Sequence, residues 1–238
     1  MTAISSVILV HGAWGDGSNW AKVIPLLVKK GLAVTAVQLP LTGFEEDVAA
    51  VRRAIALAEG EVVLVGHSYA GAVIGEAGND AKVVRLVYID AFAPDAGESV
   101  QSELASAHPP PPDFTIAVPF ATPAGNDADL YVNSKYFGLV FASAESPEVA
   151  ARLAVTQRPF AARCLTDKAP SAIGWKTIPS WFVIGDADKV IPPDILLKFA
   201  ARAKSKVYHV PGGDHPSMIA HPEVTVAAIR DAASAVSP

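Results

Sequence analysis

Ser68 stands at the centre of the run Glu61-Val-Val-Leu-Val-Gly-His-Ser-Tyr-Ala-Gly71, where an apolar stretch passes straight into a turn of small residues. A serine hydroxyl is a weak nucleophile at neutral pH. It needs a base to take its proton, a third group to orient that base, and N–H donors aimed at the oxyanion that develops. A sharp strand-to-helix turn, often with positive φ at the serine, holds the hydroxyl out at the tip of the corner. The backbone then passes close on both sides, so the residues two positions away must be small. Here they are Gly66 and Ala70. The pattern G-x-S-x-G is met except at its last position, and alanine is the smallest departure from it.

The base is expected on a loop past the last strand. His215, in Pro211-Gly-Gly-Asp-His-Pro216, follows the apolar run Lys206–Val210 and is flanked by glycines that make a flexible turn. The other histidines fit less well. His209 lies inside a strand, where it packs or faces a helix. His221 opens the last helix and is expected to be exposed. His67 is too constrained to turn back on Ser68, and His108 lies in an insertion. The spacing of His209, His215 and His221 matches no common metal-ligand motif. The acid should follow a strand end upstream of the histidine. Gly185-Asp-Ala-Asp-Lys-Val-Ile-Pro192 supplies Asp186 and Asp188, of which Asp188 is favoured. Asp90 ranks third, with a structural role at its strand end, and Asp214 should point away from its neighbour His215. One oxyanion donor should be the Tyr69 N–H, directly after the nucleophile. The other should come from Val10-His-Gly-Ala-Trp-Gly-Asp-Gly17, with Ala13 as the choice. That loop matches neither G-x-x-x-x-G-K-[ST] nor G-x-G-x-x-G, which argues against a phosphate cradle. Each signal alone is weak. Their order Ser, Asp, His, each following a strand, is what an α/β enzyme of this kind requires.

The elements that must position these groups read as alternating strands and helices. Val7–Val10, Ala33–Leu39, Glu61–Gly66, Val83–Ile89, Ser180–Gly185 and Lys206–Val210 are short β-branched runs, most of them apolar without alternation, as in parallel strands buried on both faces. Phe44, Val48, Val51, Ile55 and Ala58 repeat at helical spacing, and Thr42 with Glu45 suggests a capping box. Pro193–Ala203 and Glu223–Val236 read as further helices. The expected fold class is α/β, a doubly wound, mostly parallel sheet. Between Ala93 and Lys176 the alternation breaks. A structureless loop of that length is unfavourable, so a helical insertion is expected over the carboxyl ends of the strands, with Pro109–Pro112 as a stiff extended piece.

The 238 residues, 51% of them hydrophobic, suffice for one large core. With 19 basic and 24 acidic side chains the net charge is -5, which argues against nucleic acid as a partner. A single cysteine, Cys164, excludes an internal disulfide and suits a reducing compartment. No signal peptide is read at the N-terminus, and no apolar run approaches the roughly 18 residues that span a membrane. The expected location is the cytoplasm, and the sequence leaves the oligomeric state, homodimer included, open.

With Val10-His-Gly-Ala-Trp, Gly66-His-Ser-Tyr-Ala-Gly, Tyr88-Ile-Asp-Ala-Phe, Gly185-Asp-Ala-Asp-Lys-Val-Ile-Pro-Pro and Gly212-Gly-Asp-His in place, the chain resembles an α/β-hydrolase over nearly its whole length. Within that superfamily it is similar to the group holding plant methyl-ester esterases, bacterial pyrethroid-hydrolase-like esterases and hydroxynitrile lyases. The resemblance implies Ser68, Asp188 and His215 as a triad, Ala13 and Tyr69 as oxyanion donors, a core of residues 1–92 and 177–238, and a cap of residues 93–176. The lyases of the group carry a threonine after the first motif's histidine and a lysine after the catalytic histidine. This chain has Gly12 and Pro216, which favours ester hydrolysis. The expectation is therefore a serine carboxylesterase acting on a small, largely apolar ester, with no metal or organic cofactor implied and neither nucleic acid nor membrane as partner. Gly12, Trp14, Phe92 and Trp175 are the expected substrate contacts. Phe114, Phe120, Tyr131, Tyr136, Phe137, Phe141 and Phe160 also crowd the region that should roof the site, most of them as the insertion's own core. The same fold and triad also run cofactor-free oxygenation, C–C cleavage or perhydrolysis, and a non-catalytic ligand receptor is the remaining alternative.

Overall fold

The computed structural model of the chain describes residue 4 and residues 6–105, 111–123, 125–169 and 173–235. In chain order the strands are β1 (Ser6–Val10), β2 (Ala33–Val37), β3 (Val62–His67), β4 (Val83–Ile89), β5 (Thr115–Thr122), β6 (Gly125–Val132), β7 (Phe160–Ala161), β8 (Ser180–Gly185) and β9 (Lys206–Val210). Six of them form one parallel sheet in the order β2-β1-β3-β4-β8-β9. β4, β8 and β9 have the ranges read from the sequence, and the others differ by no more than two residues at an end.

The uniform hydrophobicity of the central strands has a simple cause. Ile8, Val10, Val62, Leu64, Leu86 and Tyr88 enter a core beneath the helices Phe44–Leu57, Ala70–Ala77 and Pro193–Arg202. Their neighbours Val7, Leu9, Val63, Val65, Val87 and Ile89 enter a second core beneath Val23–Val28 and Pro222–Ser234. Both pleat faces are buried, so both must be apolar. The last helix ends at Ser234, short of the expected Val236, which lies outside the described residues. No helix among the described residues is long and apolar enough to cross a membrane.

Helix Phe44–Leu57 is capped differently from the expectation. Its N-cap is Gly43, which makes no side-chain bond. The Phe44 N–H instead donates to Asp167 Oδ2 at 3.3 Å, from the insertion, and the Thr42 carbonyl accepts from Arg163. A distant carboxylate has replaced the local capping box.

The insertion contains helices, as expected, and also a three-stranded antiparallel sheet, β5-β6-β7, that the sequence reading missed. β5 is an edge strand, exposed along nearly its whole length, and carries Pro119 at its middle. Proline demotes a strand reading, and an exposed edge has no hydrophobic face to betray it. Of the proline run, Pro109 and Pro110 lie outside the described residues, as does His108. Pro111 opens a turn closed by the Phe114 N–H at 2.9 Å, not an extended rod. The turn follows from burial of the Phe114 ring in a small core with Phe137 and Phe141.

One contact couples the nucleophile helix to the sheet. A Cβ on Gly71 would lie 2.0 Å from the Phe92 carbonyl oxygen and 2.9 Å from Ala91 Cβ. Gly71→Ala is therefore expected to lower stability by about 2–3 kcal/mol through overpacking, read as a reduced urea midpoint at unchanged slope.

Candidate active site

β3 ends at His67, and Ser68 turns the chain into helix Ala70–Ala77 with φ 55. The turn is held from both sides. The Ser68 N–H donates to the Ile89 carbonyl at 3.1 Å, and its carbonyl accepts from Phe92 N–H at 3.2 Å. A Cβ on Gly66 would meet the Ala70 carbonyl oxygen at 2.7 Å, which explains the glycine before the serine. Ala70 itself is fully buried and fits with its methyl group.

The loops after β8 and β9 bring two further side chains to Ser68. His215 Nε2 lies 2.8 Å from Ser68 Oγ, and His215 Nδ1 lies 2.8 Å from Asp188 Oδ2. Asp188 Oδ1 accepts from Val190 N–H at 2.7 Å and Ile191 N–H at 2.9 Å. A carboxylate can only accept, so Nδ1 carries the proton and Nε2 is left as the acceptor for the serine hydroxyl. Burial lowers His215 below the ordinary histidine value, opposed by the Asp214 carboxylate, so the imidazole rests neutral. Burial also raises the Asp188 carboxyl, opposed by the Ile191 and Val190 N–H donors. Such a chain can deprotonate the hydroxyl while stabilising the imidazolium that results.

The loop after β1 lies directly against the nucleophile, since a Cβ on Gly12 would fall 2.8 Å from Ser68 Cβ and 3.0 Å from the His67 carbonyl oxygen. His11 fixes this loop. Its Nε2 accepts from Leu39 N–H at 3.0 Å, so its Nδ1 carries the proton and donates to the Gly12 carbonyl at 2.9 Å. Burial pulls His11 down to about 4, which keeps that tautomer neutral. The N–H groups of Ala13 and Tyr69 make no bond to a protein acceptor among the described residues. Trp14, at φ 61, is tied to the insertion by Nε1 to the Leu130 carbonyl at 2.8 Å and by the Arg158 N–H to its own carbonyl at 2.9 Å. Over the site, Phe141 stands edge-on to His215 with centroids 5.0 Å apart, and Trp14 makes edge contacts with Phe141 and Phe160. A narrow cavity is lined by Ala13, Trp14, Phe137, Phe141, Pro216 and Ile219.

A family model described as the Alpha/beta hydrolase family matches residues 7–228. The chain belongs to this family. Among its relatives, an alpha-hydroxynitrile lyase of Arabidopsis thaliana is 29% identical over 91% of this chain and 92% of its own length. A carbendazim hydrolyzing esterase of Nocardioides sp. (strain SG-4G) is 35% identical over 45% of this chain and 50% of its own length. The crystal structure of polyneuridine aldehyde esterase matches with a TM-score of 0.83 at 21% identity, covering 95% of this chain and 98% of that one, a likeness of fold.

Other candidates fall elsewhere on this hydrolase scaffold. Asp186 is exposed and pairs with His209 at 2.9 Å, so His209 faces solvent and does not pack as expected. β9 is the edge of the sheet and leaves that position open. His67 donates from Nε2 to the His215 carbonyl at 3.0 Å, and its Nδ1 has no partner among the described residues. His221 is half-buried, not exposed. Asp214 points into the insertion, where Oδ2 accepts from Ala144 N–H at 2.7 Å. The Phe92 N–H donates to the Ser68 carbonyl, and its ring packs toward Phe199. Trp175 is a correction. It is buried beneath Lys176 and Arg202, donates from Nε1 to the Pro94 carbonyl at 3.1 Å, and borders the groove where β8 begins, at the opposite end of the sheet from Ser68. The chain must return there to start β8, which carries its preceding aromatic away from the site. Phe120 is partly exposed on β5 and roofs nothing.

Phe141, expected only as one of the aromatics crowding the roof of the site, stands against His215, whereas sequence reasoning missed Asp47, for which a local signal exists. Asp47 lies on the buried face shared by Phe44, Val48 and Val51, and a carboxylate there demands internal partners. Oδ1 accepts from Leu41 N–H at 2.7 Å and Oδ2 from Tyr69 Oη at 2.8 Å, anchoring the residue whose N–H follows the nucleophile. Burial raises Asp47 from 3.8 to about 6, against the Leu41 and Tyr69 donors. Its contribution to stability is thus complete below its unfolded value and is lost as pH rises through about 6. Asp47→Asn has no such proton to lose. From pH 4 to pH 7.5, its stability relative to the unaltered protein should improve by up to about 3 kcal/mol in urea unfolding, the equivalent of the step from 3.8 to about 6. A flat difference would mean that Asp47 is ionised throughout.

Proposed function

We propose that this hydrolase is a serine carboxylesterase that cleaves small, largely apolar esters. The observation that carries the reading is the buried hydrogen-bonded chain from Asp188 through His215 to Ser68. Ser68 Oγ attacks the ester carbonyl as His215 Nε2 takes its proton. The N–H groups of Ala13 and Tyr69 receive the oxyanion. His215 then protonates the leaving alcohol, and a water activated by the same imidazole releases the acid from Ser68. Asp188 holds the tautomer and the orientation of the ring. Residues 93–176 act as the cap, with Trp14, Phe141 and Phe160 making an apolar wall. A cavity lined by Ala13, Trp14, Phe137 and Phe141 adjoins that wall. The single cysteine is consistent with a cytoplasmic location.

Esterase chemistry is favoured over the cyanohydrin cleavage of the Arabidopsis relative by two positions. At Gly12 a Cβ would stand 2.8 Å from Ser68 Cβ, so a threonine hydroxyl has no room beside the nucleophile without movement of the loop. Pro216 offers no ammonium next to His215 to stabilise departing cyanide. The relative named for carbendazim hydrolysis supports an esterase in the same direction.

Hydrolysis of short p-nitrophenyl esters is the direct test. Ser68→Ala should lower kcat by about four orders of magnitude or more with the fold intact by circular dichroism. Retained turnover in that variant, or cleavage of a cyanohydrin faster than any ester, would overturn the proposal.

A further inference from the structure

The residues that end β4 touch every segment that carries Ser68, Asp188 and His215. Ile89 and Phe92 hold the Ser68 backbone from both sides, and the Asp90 N–H donates to the Val183 carbonyl in β8 at 2.9 Å. The Asp90 side chain reaches further. Oδ1 accepts from Gly185 N–H at 2.6 Å, at the start of the loop that bears Asp188. Oδ2 accepts from the Ser217 hydroxyl, two residues beyond His215. Asp90 is fully buried, sits at φ 44, and forms no ion pair with a lysine or arginine among the described residues.

A strand end has no need of a carboxylate. Burying one without a cation is costly, and a small apolar residue would pack there more cheaply. Burial and the Asp188 carboxylate both raise Asp90 well above the ordinary aspartate value, so the group serves as a neutral, two-ended hydrogen-bonding bridge. We propose that Asp90 is a positioning residue that clamps the Asp188 loop to the turn following His215, and so sets the imidazole between Asp188 and Ser68. The proposal rests on the esterase reading only for its kinetic consequence. An asparagine keeps both bonds, accepting from Gly185 through its oxygen and donating to Ser217 through its amide, whereas an alanine breaks both.

Two measurements on the full-length protein test it. The first needs no substrate and follows the low-field proton resonance of His215 Nδ1–H, the hydrogen bond to Asp188, by NMR. The unaltered protein and Asp90→Asn should both show it, and Asp90→Ala should lose it or move it upfield. The second compares kcat and KM for a short p-nitrophenyl ester. Asp90→Ala should lose about 10- to 100-fold in kcat with KM within about twofold, because a misplaced imidazole slows chemistry and not binding. Asp90→Asn should stay within about threefold of the unaltered protein. Ser217→Ala cuts only one arm and should shift both readouts in the same direction by less. It carries the test if Asp90→Ala does not fold. An unchanged resonance and kcat in Asp90→Ala, or in Ser217→Ala where that variant stands alone, overturns the proposal, and so does an Asp90→Asn as impaired as the alanine. If the unaltered protein hydrolyses no ester while the resonance still follows Asp90, the clamp stands and the esterase reading fails.

Discussion

Everything at this site depends on how closely the backbone crowds around Ser68. The residue is held at φ 55, a conformation that costs about 1–3 kcal/mol for a non-glycine side chain and survives only where its surroundings over-determine it. Here they do. Two backbone hydrogen bonds from the end of β4 fasten its peptide groups, and three glycines bring neighbouring backbone within reach. A Cβ would lie 2.8 Å from Ser68 Cβ at Gly12, 2.7 Å from the Ala70 oxygen at Gly66, and 2.0 Å from the Phe92 oxygen at Gly71. The strain is local, but the three glycines and the atoms they approach span three separate segments. The nucleophile turn, the loop after β1 and the end of β4 therefore have to be assembled together.

The insertion takes part in that assembly, and does more than cover it. Trp14, beside the expected oxyanion donor, also sits at positive φ, and its two anchoring bonds come from Leu130 and Arg158, both in the insertion. Arg158 Nη1 further donates to the Leu39 carbonyl at 2.6 Å, whose own N–H is held by His11. The polar framework of the loop after β1 thus continues without a break into β6 and the segment before β7. Movement of the insertion would therefore pull on the loop that bears Ala13. The insertion and the loop beside Ser68 are mechanically linked by these few bonds.

What could be read from the sequence follows from where the signals are strong. The parallel strands announce themselves because both faces are buried, and alternate residues of one strand feed two different cores. Ser68, Asp188 and His215 were legible because each follows a strand end and is framed by small residues that only close packing explains. The antiparallel sheet of the insertion was not, since β5 is exposed, carries Pro119 and gains nothing from apolar alternation. The cap of helix Phe44–Leu57 was misread because Asp167, far away in the chain, supplies what Thr42 could have supplied locally. Trp175 was misplaced for a topological reason. Proximity to the insertion in sequence says nothing about which end of the sheet the returning chain has reached. Non-local partners are the common element in these failures.

Asp188 and Asp90 pose the sharper electrostatic question, because both are buried within one small region and both carboxyls are raised by burial. Two carboxylates so placed do not ionise alike, and the kind of partner each faces decides between them. Asp188 receives three N–H groups, from Val190, Ile191 and the His215 ring. Asp90 receives the Gly185 N–H and the Ser217 hydroxyl, which can equally well accept, with the Ser217 N–H as a further donor beside it. Asp188 faces the His215 ring, which becomes a cation on taking a proton, so the negative charge is held there and the Coulombic cost of a second charge falls on Asp90. A neutral Asp90 serves the site in two ways. It leaves Asp188 as the charged partner that stabilises a developing imidazolium, and it ties together the two loops on which that imidazolium must stay aligned.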